Sequence, residues 1–219
     1  GILFWCAMMI RPVAFGVPLL LAILALFRPT MNRQQRMQAS ALILFGAFFI
    51  VAPWEALIWQ RTERLVLIST GDMPSILDGL TFGVRSKSYR EGIPLTPGVA
   101  RLMLNADAQR AELQSFGDVV GFLGDEWRSN AAGVLEFLGL KAVRSWYGTH
   151  SMRYETLVLL VQCVYVLAGV WGLIRAFRLT TDTRALALMF LTLILYFWAM
   201  TILVLPILRY MMPAMGLLI

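Results

Sequence analysis

Residues Thr156–Ile174 carry no charge over 19 positions, and Ala185–Leu208 carry none over 24. A hydrocarbon layer about 30 Å thick takes about 20 apolar residues of helix to cross. Runs of this length and uniformity read as membrane-spanning helices, and they constrain everything else in the chain. Two further runs qualify. Gly1–Phe27 is interrupted only by Arg11-Pro12, and Ala39–Trp59 carries Pro53 and Glu55 near its far end. A partial run begins at Tyr210 and continues to Ile219. The predicted fold is an all-α membrane protein, a multi-spanning helical bundle of four to five spans: about 1–27, 39–59, 155–175, 185–208 and a truncated 210–219. A mainly helical external segment, residues 60–153, separates the second span from the third. Because the sequence starts inside one apolar run and stops inside another, it is expected to be a piece of a longer polypeptide.

The formal charge of +6 on 219 residues invites a nucleic-acid reading, so its location matters. Residues 60–155 hold 11 basic and 11 acidic side chains and are neutral. The excess lies in two short connections, Arg28–Arg36 and Arg175–Arg184, plus Arg11 and Arg209. Basic residues in short loops between apolar runs mark the cytoplasmic side of a membrane protein. Nucleic acid is therefore not an expected partner. Both basic loops are expected in the cytoplasm, with residues 60–153 and Arg209 on the outer side. Hydrophobic residues make up 59% of the chain and charged ones 15%, far from the roughly 25% charged composition of soluble domains.

The external segment has helix signals. Thr96-Pro97 pairs an N-cap with a proline at the first helical position and predicts a helix through Leu104. Asp107 is a candidate cap for a helix to about Arg128, with Leu113, Phe116, Val120 and Leu123 at helical spacing. Asn130 opens a third helix, residues 131–146, expected to lie in the membrane interface with Lys141 and Arg144 reaching toward headgroups. The alternative is a helix packed on its neighbours. Leu65–Ser69 reads as a short extended piece, and Gly71–Gly79 as a loop in which Asp72 and Asp78 serve turn hydrogen bonds or act as acid, base or metal ligands.

Arg11 is the most informative single residue. An arginine within an apolar run normally faces a polar cavity or an anion, and Pro12 favours a break there. Snorkelling to the interface is the alternative. Arg209, after Pro206, allows the same two readings. Lys141 and Arg144, three apart on one helix face, could hold a lipid phosphate. Glu55 at a membrane boundary wants a cationic partner. His150 stands alone, and no HExxH, CxxC, Walker A, GxGxxG or GxSxG pattern is present, so no metal or nucleotide site is indicated. Cys6 and Cys163 lie within apolar runs and read as small buried residues.

Several of these residues carry a resemblance. Arg11-Pro12 in MMIRPVAFGVPLLLAILALFR resembles the "TRP…LLLP…LL" span of bacterial polyprenyl-phosphate-dependent glycosyltransferases of the multi-spanning GT-C type. That group includes the family 39 protein-mannosyltransferase-like enzymes and the lipid A aminoarabinose transferases. Pro53-Trp54 followed by LVLISTG (65–71) is similar to the group's "PW…STNGG" stretch. PSILDGLTF (74–82) and KAVRSWY (141–147) are similar to one sub-branch, and Arg209-Tyr210-Met211-Met212-Pro213 resembles its "RY..P" motif. The order of these motifs matches from Arg11 to Pro213. Where the group commonly reads "PWTxRN", this chain has Glu55 and no arginine.

The resemblance implies transfer of a sugar from a polyprenyl-phosphate donor to a protein, lipid or glycan hydroxyl on the outer face of a bacterial inner membrane. It implies Arg11, Lys141, Arg144 and Arg209 as contacts to the donor phosphate or lipid headgroups, and Glu55, Asp72 and Tyr210 as possible outer-cavity residues. No cofactor beyond the donor substrate is implied, and the resemblance leaves a metal requirement open. The group's catalytic carboxylate lies in a first external loop that would precede Gly1, so no catalytic residue is expected here and this stretch alone would be inactive. The reading from a different class is a non-enzymatic membrane protein, such as a transporter or an assembly scaffold.

Overall fold

The computed structural model describes residues 16–28, 31–63, 72–84, 94–149 and 154–217. All regular structure in them is helical. The order is α1 (Val17–Leu26), α2 (Arg33–Thr62), α3 (Asp72–Thr81), α4 (Pro97–Ala108), α5 (Phe116–Arg144), α6 (Glu155–Phe177), α7 (Thr181–Leu203) and α8 (Leu208–Met215). Arg11, Cys6, His150 and the expected extended piece Leu65–Ser69 lie outside the described residues.

Three helices, α2, α6 and α7, are long and apolar enough to cross a membrane. Of the first expected span, the described part is the 10-residue α1, which has a proline in its first turn. Helix α6 has the pattern of a lipid-facing helix, with polar or small residues inside and apolar ones outside. Its buried residues are Gln162 and Gly169, while Leu160, Val161, Val164 and Trp171 are 59–70% exposed. In water such a face would be strongly unfavourable, because each exposed large side chain forgoes about 1.5–3 kcal/mol of burial. Hydrocarbon removes that penalty.

The chain divides into two compact units. The first holds residues 1–70 and 175–196. In it α1 packs along α2, where the Ser40 hydroxyl donates to the Ala22 carbonyl at 2.7 Å. Gly16 N–H donates to the Tyr196 hydroxyl at 2.9 Å. Helix α2 begins with a reciprocal cap: Asn32 accepts from Gln35 N–H at 2.9 Å, and the Gln35 side chain accepts from Asn32 N–H at 3.1 Å. At 30 residues and about 1.5 Å each, α2 is longer than a hydrocarbon layer is thick, and its first and last turns are polar.

The second unit holds residues 71–174 and 197–219. Its apolar core is built by α3, α4 and α5 around Leu80, Phe82, Leu102, Met103, Val119 and Phe137. The Phe82 and Phe137 rings stack at 6.5 Å. Helix α4 starts as expected, with Thr96 Oγ1 accepting from Val99 N–H and Pro97 in the first turn, but it runs on to Ala108. Asp107 therefore sits inside α4. The cap of α5 is Ser115, whose hydroxyl accepts from Asp118 N–H while Asp118 accepts from Ser115 N–H. Asn130 does open a helical stretch. Its backbone leaves helical geometry (φ −152°, ψ 55°), and its Oδ1 accepts from Gly133 N–H at 3.1 Å, so α5 is two straight arms joined at a capped kink. The expected Gly71–Gly79 loop is instead α3. Its Thr81 hydroxyl donates back to Leu77 O, and Asp78 pairs with Arg110 at 2.9 Å.

Candidate functional site

Helix α7 stops at Leu203 and α8 starts at Leu208. Proline supplies no N–H and clashes with a preceding helical turn, so Pro206 enforces the break and strands the last carbonyls of α7. Helix α5 satisfies them. Lys141 Nζ donates to Val204 O at 3.0 Å and reaches Leu203 O at 3.5 Å. A cation at a helix C-terminus also complements the partial negative charge there. The Lys141 side chain is 2% exposed, with the Phe137 ring 5.3 Å away. Burial pulls its pKa down from 10.5 to about 7, because desolvation penalises the ammonium.

Two glycines permit this contact. A Cβ on Gly79 would sit 1.6 Å from the Val204 oxygen, and one on Gly148 would sit 2.6 Å from the Pro206 oxygen. Gly148 O accepts from Leu208 N–H at 2.8 Å, which satisfies the first amide of α8. Trp198, in the last turns of α7, donates its indole N–H to Ala142 O at 2.9 Å and to Ser145 Oγ at 3.0 Å. The break is thus held from both sides by the end of α5 and the turn after it.

Arg144 lies one helical turn beyond Lys141 and makes a two-point pair with Glu155, the first residue of α6. Thr149 N–H donates to the same carboxylate at 2.7 Å. Both expected headgroup contacts, Lys141 and Arg144, are therefore buried and turned inward on partners from this chain. The helical spacing puts both on one face, where each meets a different partner. What the sequence did not carry was which way that face points.

Arg209 follows the break directly. It is exposed, its guanidinium lies 5.2 Å from the Tyr210 ring, and it reaches the Tyr210 hydroxyl at 3.4 Å. Lys141, Arg144, Arg209 and Tyr210 all belong to the second unit, as does Asp72 at the start of α3. Glu55 lies on α2, half-buried, in the first unit. Among the described residues, no group of three His, Cys, Asp or Glu comes together as a metal site.

Sequence reasoning missed Glu155, Trp198 and Gly79. Glu155 carried a usable signal: a carboxylate in the first turn of an otherwise uncharged span needs a cation, and α5 ends on two. It also missed Gln162, whose amide reaches Met215 Sδ at 3.7 Å, and Tyr165, whose hydroxyl donates to Met215 O. These contacts join α6 to α8. Compared with protein-family models, with curated proteins and with solved structures, the chain matches none.

Proposed function

We propose that this chain belongs to a membrane glycosyltransferase that moves a sugar from a polyprenyl-phosphate donor to a protein, lipid or glycan acceptor on the outer face of the membrane. The observation that carries this reading is Arg209, exposed on Tyr210 beside the break between the apolar helix α7 and the short helix α8. Irregular backbone at membrane depth is tolerated where it lines a cavity or is buried in protein, and an arginine there suits a phosphate through two parallel hydrogen bonds. The ordered motifs from Arg11-Pro12 to Arg209-Tyr210 support the same reading. So does the placement of both basic connections, around Arg33 and around Arg178, in one unit.

In this account Arg209 contacts the departing phosphate and stabilises the charge that develops on it, a role that the resemblance also gives to Arg11. Lys141 and Arg144 act at one remove: they fix the break and the start of α6, and so position Arg209 without touching donor. Tyr210 would border the cavity beside Arg209; the same role for Glu55 and Asp72 rests on the resemblance alone.

Broken helices also build transporter sites, so the α7–α8 break is compatible with a solute carrier. One experiment separates the two readings. Membranes containing the full-length protein are given polyprenyl phosphate bearing a labelled sugar. Label is expected to pass to an acceptor, to be lost with Arg11→Ala, to return in part with Arg11→Lys, and to fall less with Arg209→Ala. The planar two-donor geometry explains the incomplete rescue by lysine. Undiminished transfer in Arg11→Ala would remove its phosphate role, and solute uptake without transfer would favour the carrier.

A further inference from the structure

The second arm of α5, residues 131–144, has three charges: Glu136, Lys141 and Arg144. The structure buries both cations, so the arm's outward face keeps a single charge, Glu136, which accepts from the Thr96 hydroxyl at 2.5 Å and is thereby turned toward the start of α4. The rest of that face is Leu135, Leu138 and Val143, 58%, 37% and 60% exposed, with the small residues Ala132 and Gly139 between them. At about 100° per residue Leu135, Gly139, Ala132 and Val143 fall within one sector opposite Val134, Phe137 and Lys141, and Leu138 lies on its flank. A helix in contact with water carries polar residues there.

What covers the face is indicated by the attachments of the arm. Its last turn is pinned to the first turn of α6 by Arg144 and Glu155, and the following turn is bonded to the first amide of α8 by Gly148 and Leu208. Beyond Glu155, α6 runs uncharged through Ile174 with large apolar side chains outward. The arm therefore ends at the start of an apolar, membrane-length helix, α6.

We propose that the outward face of residues 131–144 beds into the lipid surface at the acyl–headgroup boundary, and that it does so by apolar contact alone, with no requirement for anionic lipid. The cations that would have selected anionic headgroups are committed to Val204 and Glu155. This placement is independent of the transferase reading and holds on either side of the membrane.

The test uses the whole chain reconstituted in vesicles, with Cys6→Ser and Cys163→Ser as background and a single fluorophore at Leu135→Cys, Val143→Cys or Arg128→Cys. The vesicles are pure phosphatidylcholine or phosphatidylcholine with phosphatidylglycerol, each doped with a shallow lipid-attached quencher. Quenching severalfold stronger at 135 and 143 than at 128, and equal in the two lipid mixtures, is the expected result. Iodide in the water should show the opposite ranking. Iodide quenching at 135 and 143 as strong as at 128 would overturn the proposal. So would lipid quenching that appears only with phosphatidylglycerol. Protection from both quenchers, with a 135–135 disulfide formed between two unlabelled Leu135→Cys chains on mild oxidation, would assign the face to a second copy instead.

Discussion

Arg144 and Glu155 form a two-point ion pair, Nη1 to Oε2 at 2.9 Å and Nη2 to Oε1 at 2.6 Å, with the arginine side chain 4% exposed and the carboxylate 15%. It joins the end of α5 to the start of a membrane-length helix. Removing one partner leaves the other charge buried and unpaired, a loss of about 3–5 kcal/mol, whereas an apolar pair of similar volume can be neutral or better. Arg144→Met and Glu155→Leu should each lower the thermal unfolding midpoint in detergent sharply. The double variant should recover most of the loss. Additive losses would show that the pair is not energetically coupled.

Lys141 should make stability depend on pH. Burial lowers its pKa from 10.5 to about 7, so between those values the unfolded chain holds a proton that the folded chain has released. Stability then rises with pH across that window and is flat on either side, as far as this group is concerned. At 1.36 kcal/mol per unit the swing is at most about 5 kcal/mol. In unfolding measurements from pH 6 to about pH 10, Lys141→Met should lose this slope. An unchanged slope in the variant would assign it to other groups.

Gly79 should tolerate no side chain. Its Cβ would lie 1.6 Å from a main-chain oxygen, which cannot swing aside as a flexible side chain can. Gly79→Ala is expected to separate α3 from the α7–α8 break and to abolish the folded peak in size-exclusion chromatography. Gly139, with nothing within 4 Å of a Cβ, is the control. Gly139→Ala in the same helix-interior setting should be neutral or stabilising by up to about 1 kcal/mol.

The loop charges set an expected topology that labelling tests. Arg33→Cys and Arg178→Cys should react with an impermeant thiol reagent only from the cytoplasmic side, and Gln114→Cys only from the opposite side, in a background lacking Cys6 and Cys163. Labelling at 33 from outside with protection at 114 would invert the orientation and move the proposed chemistry to the other face.

The sequence by itself determined the helical class and the three long apolar helices. Hydrocarbon leaves a backbone no partner but its own turns, and the length and charge-free character of Thr156–Ile174 and Ala185–Leu208 are local properties readable from composition. It also determined two helix starts, Thr96 as a cap and Asn130 as an opener, each set by one residue's own acceptors; the break at Pro206 was not among them, because the expected span ran through it to Leu208. The α3 helix was not legible, because Gly71–Gly79 has turn-forming composition and its helix is stabilised by Leu77 and Leu80 packing on α4 and α5. Nor was the direction of Lys141 and Arg144. Amphipathic periodicity says which residues share a face; whether that face meets headgroups or the chain's own carbonyls depends on partners far away in sequence. Here those partners are Val204, 63 positions from Lys141, and Glu155, 11 from Arg144. Only the tertiary fold brings a stranded helix end and a carboxylate to the two cations, and these partners offset the cost of burying them.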